Sequence, residues 1–328
     1  MNPSFVSSFR HPRTGAALTL RADKSSGGEV VEGALLGDGA EFPIAGGIPR
    51  FVPAENYAGS FGYQWNRFAT TQLDSKSSWG NVSEKRFFEQ TGWPHRMPGQ
   101  RILEAGSGMG RFTGVMAGTD AEVCTFDYSN AIVANLGNNA QHAKVCFAQA
   151  DIYEPPYEQR SFDKVLCVGV LQHCPSPARA FQSLVRFLKP GGEIVIDVYR
   201  LAPKCLVLGK YYLRPVTRRL APETLERLVR AHVGWVYPLT GALARWTGRQ
   251  TRWLSWMLAM ADYRGAIAMS DETARELSLL DTFDMLAPAY DRPQTRRRVE
   301  RWFREAGLVD VHIEFAHTGI SARGKRPA

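Results

Sequence analysis

The 328 residues include 40 lysines and arginines against 32 aspartates and glutamates, with 44% hydrophobic and 22% charged residues. That balance belongs to a folded chain and excludes intrinsic disorder and collagen-like repeats. The apolar stretches, such as 253–260, fall well short of the ~18 to 20 residues that a membrane span requires.

Single hydrophobic cores stop growing at roughly 250–300 residues, so one large domain with an elaboration, or two domains, is expected. The first twenty residues carry Arg10, His11 and Arg13 with no apolar run after them, which is wrong for a secretory signal and points to the cytoplasm. Cys124, Cys146, Cys167, Cys174 and Cys205 are odd in number and contain no C-x-x-C pair. They read as buried reduced thiols rather than a disulfide framework or a thiolate metal site. Divided along the chain, the charge is uneven: residues 1–200 hold 19 basic and 19 acidic side chains, 201–264 hold 11 and 3, and 265–328 hold 10 and 10. A partner drawn by charge would therefore meet one segment.

Residues 1–53 read as short β segments punctuated by Gly and Pro, at 17–20, 29–32, 42–44 and 48–51. Residues 54–100, rich in aromatics from Tyr57 to Trp93, read as helical pieces between loops. From Arg101 onward, brief apolar runs at 101–103, 122–126, 144–147, 162–168 and 193–196 alternate with helix-length stretches, the rhythm of a mainly parallel sheet. An apolar, basic helical block follows from the start signal Ala221-Pro222-Glu223 past Trp235, Trp246, Trp253 and Trp256. An amphipathic helix over 294–306 ends at Gly307, and two closing strands occupy 309–316 and 319–324.

Gly106-Ser107-Gly108-Met109-Gly110-Arg111 follows the first strand of this rhythm and opens a helix, a context in which glycines admit a ligand close to the backbone. A dinucleotide fingerprint would need a small residue where Arg111 stands. Asp127 closes the next strand, nineteen residues after Gly108, where a carboxylate can accept ribose hydroxyls. Ala150-Asp151-Ile152, then Val168-Gly169 with the exit Val170-Leu171-Gln172-His173, and Leu188-Lys189-Pro190-Gly191-Gly192 follow in order.

On these residues the sequence resembles class I S-adenosylmethionine-dependent methyltransferases, closely over 100–200 and again near the C-terminus. The resemblance implies an α/β fold: a Rossmann-like, seven-stranded, mostly parallel sheet with helices on both faces, a small N-terminal β module (1–53), a helical segment covering the cofactor (54–100), a core at 101–200 and 291–328, and a helical cap at 201–290 inserted after the fifth strand. It also implies that Gly106, Gly108, Gly110 and Arg111 form the cofactor loop, that Glu104 faces the amino group of S-adenosylmethionine, and that Asp127 holds the ribose. Tyr128 would pack on the adenine, Asp151 and Ile152 would meet its edge, and Val168 and Gly169 would line the opposite side. S-adenosylhomocysteine would be the product.

Glu154-Pro155-Pro156-Tyr157 resembles the Asn/Asp-Pro-Pro-Tyr signature of nucleic-acid amino-methyltransferases. It follows the third strand instead of the fourth and reads as a proline loop. Residues 9–52 are similar to the zinc-ribbon-like module that precedes many methyltransferases. Phe42-Pro43-Ile44 and Gly47-Ile48-Pro49 keep its ending, but the metal cysteines are missing; a closed zinc site needs four ligands, and His11 alone does not supply them, so no metal is expected. Phe61–Phe68, Leu171-Gln172-His173 and the stretch from Leu280 to Asp291 resemble bacterial methyltransferases of surface-glycan and secondary-metabolite assembly.

Methyl transfer needs in-line placement and, for an alcohol acceptor, a base. His173 is the base candidate, with Asp281, Asp284, Tyr199 and Tyr290 as candidates for orienting the acceptor. The expected acceptor is a small molecule, a glycan or a lipid-linked compound, methylated on oxygen. The basic insert, with Arg218, Arg219, Arg249 and Arg252 foremost, suits an anionic acceptor or peripheral contact with the inner face of a membrane. Two rivals stand beside this reading: an RNA methyltransferase using the insert, and a cofactor-binding interaction protein without turnover.

Overall fold

The structure, a computed structural model, describes residues 1–53, 56–248, 251–266, 268–316 and 319–328, so Arg249 lies outside the described residues. A four-stranded antiparallel sheet opens the chain: β1 (Thr19–Ser26), β2 (Glu29–Gly37), β3 (Ala40–Ala45) and β4 (Ile48–Pro49). Gly27-Gly28, Asp38-Gly39 and Gly46-Gly47 close its three hairpins, and all six residues have positive φ. Two-residue loops with that backbone match the twist of the flanking strands, which explains strands longer than the apolar runs suggest. His11 accepts the backbone N–H groups of Arg13 and Thr14 on Nδ1 at 3.3 and 3.1 Å.

Helices α1 (Gly59–Arg67) and α2 (Val82–Thr91) lead into the alternating region. It comprises β5 (Arg101–Ala105), α3 (Thr113–Ala117), β6 (Glu122–Asp127), α4 (Ile132–Asn139), β7 (Val145–Gln149), β8 (Phe162–Cys167), α5 (Pro177–Val185) and β9 (Leu188–Tyr199). After the cap come α10 (Arg296–Glu305), β10 (Val309–Ala316) and β11 (Gly319–Lys325). The seven-stranded sheet has the order β10-β11-β9-β8-β5-β6-β7. Strands β5 to β9 run parallel, and β11 is antiparallel to both β9 and β10.

Side chains alternate between two cores: Leu103, Val165 and Ile194 face one side of the sheet, and Ile102, Leu166 and Val195 face the other. Cys124, Cys146, Cys167 and Cys174 are buried free thiols, and Cys205 is half-buried. The N-terminal module docks on the β7 edge, where Phe51 N donates to Gln149 O at 2.8 Å and covers an otherwise open strand. Tyr157 of the proline loop stacks on Phe9 with ring centroids 5.7 Å apart.

The cap consists of α6 (Gly209–Thr217), α7 (Pro222–Thr247), α8 (Arg252–Met257) and α9 (Asp271–Leu286). Helix α6, which carries Pro215 internally, lies ahead of the helix start read from the sequence. Leu225, Val229 and Val233 of α7 pack on Phe283 and Leu286 of α9 around a core separate from the sheet. No helix among the described residues is long and apolar enough to cross a membrane.

Candidate active site

The order in which successive strands are added reverses at β5: β6 and β7 follow on one side, β8 and β9 on the other. The carboxyl ends of β5 and β8 therefore diverge in their exit loops and leave a crevice. Residues from α1, α2, α9 and the loop before α9 close over it.

The glycine loop leaves β5 with Gly106, Gly108 and Gly110 at φ of 76°, 55° and 87°. A Cβ on Gly108 would sit 3.1–3.3 Å from the Trp65 indole of α1, so this glycine lets a ring lie against the backbone. Gly110 also serves packing, since a Cβ there would strike Asn135 Oδ1 at 2.1 Å.

Asp127, at the end of β6, accepts Gly108 N–H on Oδ2 at 2.9 Å and the Ser129 N–H and hydroxyl on Oδ1 at 2.8 and 2.7 Å. Burial raises its pKa, opposed by those bonds. Each carboxylate oxygen accepts two bonds, so Oδ1 is filled and Oδ2 keeps one place. Asp127 thus fixes the loop and has room for one hydroxyl. Next to it, Tyr128 and Tyr57 lie with centroids 4.8 Å apart, and Tyr290 meets Tyr57 edge-on at 5.3 Å. Asp151 accepts Tyr153 N–H at 2.9 Å, and burial raises its pKa.

Three of the residues read from the sequence have side-chain partners that the sequence did not specify. Glu104 lies beneath the loop, where Oε2 accepts the hydroxyls of Thr113 and Thr125. Burial pushes its pKa up to about 7 against those two bonds, because a desolvated carboxylate without a cation favours the proton. The Arg111 side chain turns from the loop toward α2, donating to Ser83 Oγ at 2.9 Å and Gln72 Oε1 at 3.3 Å. It lies 5.2 Å from the Trp79 ring centroid, where the aromatic face offsets part of its desolvation, and burial lowers its pKa to about 10. The Ile152 side chain is buried in the core on one side of the sheet.

Across the crevice, Gly169 N–H donates to Asp197 Oδ1, and Asp197 Oδ2 pairs with Arg86 at 2.8 Å. His173, on a 3-10 turn over Leu171–His173, contacts the Tyr290 carbonyl through Nδ1 at 3.0 Å. Phe61 and Tyr199 meet its ring at steep angles with centroids 4.9 and 5.5 Å away. Burial lowers the His173 pKa, opposed by the Asp284 carboxylate and the Tyr290 bond. Tyr199 donates weakly to Asp284 Oδ2 at 3.4 Å, and Gln64 donates to Asp284 Oδ1 at 3.2 Å. Tyr263 donates to Asp281, whose pKa burial and Asp284 push up to about 7. Tyr57, Trp65, Arg86 and Tyr263 gained no role from the sequence; only Trp65 lay in a stretch singled out for its pattern.

S-adenosylmethionine, the group implied by the resemblance, presents a cationic amine, a ribose diol and a flat base. The residues fit it. A Cβ on Gly169 would meet nothing within 4 Å, so the backbone there is open to close approach, and Asp127 Oδ2 has an accepting place. The paired Tyr57 and Tyr128 rings suit a base, and Ser107 Oγ on the loop is buried without a partner among the described residues.

Residues 103–196 match the family model described as a methyltransferase domain. The chain is 34% identical over 148 residues to the ubiquinone biosynthesis O-methyltransferase of Alkalilimnicola ehrlichii, covering 41% of this chain and 60% of that protein. It is 31% identical over 163 residues to the demethylmenaquinone methyltransferase of Clavibacter sepedonicus, covering 49% and 64%. It thus spans less than two thirds of the length of these relatives. A solved structure of phosphoethanolamine N-methyltransferase 2 from Haemonchus contortus with S-adenosyl-L-methionine superposes at a TM-score of 0.45 and 14% identity, covering 83% of this chain and 58% of that one.

Proposed function

The chain carries a class I S-adenosylmethionine-dependent methyltransferase domain, and from that premise we propose that it methylates an oxygen of a small-molecule, glycan or lipid-linked acceptor, with His173 as general base. The contact of His173 Nδ1 with the Tyr290 carbonyl carries this reading. A carbonyl only accepts, so the proton sits on Nδ1 and Nε2 keeps its lone pair. The depressed pKa keeps the imidazole neutral near pH 7. When bound, S-adenosylmethionine supplies an electrophilic methyl group on a sulfonium.

His173 Nε2 takes the acceptor hydroxyl proton, and the nearby carboxylates of Asp284 and Asp291 favour the imidazolium that results. Asp281, Asp284 and Tyr199 orient the acceptor, and Asp127 and the glycine loop position the cofactor. The choice of oxygen is supported by the relative named an O-methyltransferase.

Incubation with methyl-labelled cofactor and fractionated small-molecule, lipid and RNA pools tests the proposal. Label is expected in a small-molecule or lipid fraction. Label confined to RNA, or cofactor binding with no label transferred to any pool, would overturn it.

A further inference from the structure

Helix α7 has two apolar faces. Leu225, Val229, Val233 and Tyr237 are buried against the rest of the cap. On another face Leu228, Trp235, Leu239 and Trp246 recur at helical spacing and are 53%, 81%, 64% and 85% exposed. A solvent-facing helix ordinarily presents polar residues there. The apolar surface continues beyond α7: His232 bonds to the carbonyl of exposed Leu258 at 2.8 Å, and Gly209 abuts Met257. Leu206, Val207 and Tyr212 are exposed around Gly209.

Charge on this segment is one-sided at the surface. Of its three acids, Glu226 is buried with Tyr63, Arg67 and Arg230, and Asp262 is buried with Arg264 and Ser255. That leaves Glu223 as the exposed acid of residues 201–264 among those described, against exposed Arg218, Arg219, Arg227 and Arg245, which are not paired with its acids. Behind the C-terminal half of α7 lies a cavity of about 570 Å³, lined by Arg245, Arg252, Arg264 and Arg275 with two acids, Asp262 and Asp271; Asp262 is paired with Arg264 and Asp271 accepts the Tyr237 hydroxyl, so arginines remain in excess there. Arg252 Nε is buried there without a partner among the described residues. Trp246 and Trp253, next in sequence to two of these arginines, are exposed beside it.

We infer that this face docks on an anionic lipid bilayer, with Trp235, Trp246 and Trp253 seated at the interface and a lipid phosphate in the arginine-lined cavity. Tryptophan among aliphatic side chains, with arginines alongside, fits the boundary between acyl chains and anionic headgroups. A second copy of the chain fits poorly, because a two-fold contact would bring arginines against arginines. A nucleic acid would leave Leu228, Leu239 and Leu258 without an apolar phase.

Vesicle co-sedimentation of the full chain tests the inference. Binding to vesicles of phosphatidylcholine with phosphatidylglycerol is expected, with little binding to phosphatidylcholine alone and loss at high salt. The combined variant R227Q/R245Q/R252Q/R275Q is expected to lose roughly fivefold in affinity per arginine at the surface, and W235A/W246A/W253A to lose at least tenfold. Unchanged affinity for S-adenosylhomocysteine shows that each variant is folded, since none of these residues lines the crevice. Equal binding to neutral vesicles, or wild-type binding by both variants, would overturn the inference. So would a dimer by light scattering that the tryptophan variant abolishes while the wild type ignores vesicles, or salt-sensitive tRNA binding without vesicle binding.

Discussion

On the glycine-loop side of the crevice, polar side chains find partners nearby in the chain: Asp127 bonds to Ser129 two residues on and to Gly108 nineteen before, and Glu104 bonds to Thr113 and Thr125 nine and 21 residues on. On the cap side the bonds span the chain, with Gln64 reaching Asp284 across 220 residues, His173 reaching Tyr290 across 117, and Arg86 reaching Asp197 across 111. The first arrangement is built by one strand-loop-helix unit and its neighbour. The second exists only once α1, α2 and α9 have packed on the sheet. In the proposed reaction, the residues assigned to the ribose and those assigned to the acceptor therefore rest on different parts of the structure, and substitutions test whether they separate.

The largest effect is expected at His173, which stands at the seam. His173→Ala is expected to lower turnover by ~10²–10⁴-fold, the range for a lost general base, while cofactor affinity measured by calorimetry stays near wild type. Loss of cofactor affinity in parallel would show that the two sides are not separable there. Asp127→Ala is expected to weaken cofactor binding by about 1.5–3 kcal/mol, as for a hydrogen bond to a charged group. Because Gly108 and Ser129 also lose their acceptor, unchanged affinity would place the ribose elsewhere.

The loop side also carries a pH signature. Glu104 titrates near 7 in the folded protein, against 4.5 for an ordinary glutamate. Between those values the native state binds more protons than the unfolded chain, so this group's contribution to stability is full below pH 4.5 and falls as pH rises through about 7. Asp281 adds a change of the same sign from the cap side. Glu104→Gln is expected to flatten the fall in melting temperature over this window, a change on the order of 3 kcal/mol, leaving the part due to Asp281. An unaltered pH profile would show that Glu104 titrates normally.

Legibility in the sequence followed the same division. The five parallel strands showed as apolar runs because each is buried on both faces, and the glycine loop and Asp127 showed because their spacing is fixed by one β-α-β unit. The Glu104 and Arg111 placements did not show. Each side chain bonds to partners outside its own motif, at Thr113 and Thr125 or at Gln72 and Ser83, and the motif specifies the backbone, not those partners. Helix α6 was hidden by Pro215, and Tyr263 by lying in a loop with no periodicity. Arg86 sits on α2 with an ordinary amphipathic neighbourhood; only the packing of α2 beside β9 brings it to Asp197.

The smallest effect is expected at Tyr263, which gives the cleanest separation of the two sides. Its hydroxyl donates to Asp281, and that bond opposes the rise in the Asp281 pKa. Tyr263→Phe removes the donor and keeps the ring, so packing is preserved and Asp281 holds its proton to higher pH. A lost hydrogen bond of this kind costs about 0.5–1.5 kcal/mol, which is a rise of roughly two- to tenfold in the Michaelis constant for the acceptor. Cofactor affinity is expected to stay constant, because among the described residues Tyr263 makes no hydrogen bond to the three loop glycines or to Asp127. The acid limb of the acceptor profile is expected to move to higher pH, which a merely structural tyrosine would not cause. If cofactor affinity falls by the same factor as acceptor affinity, the cap and the loop act as one unit and the separation fails.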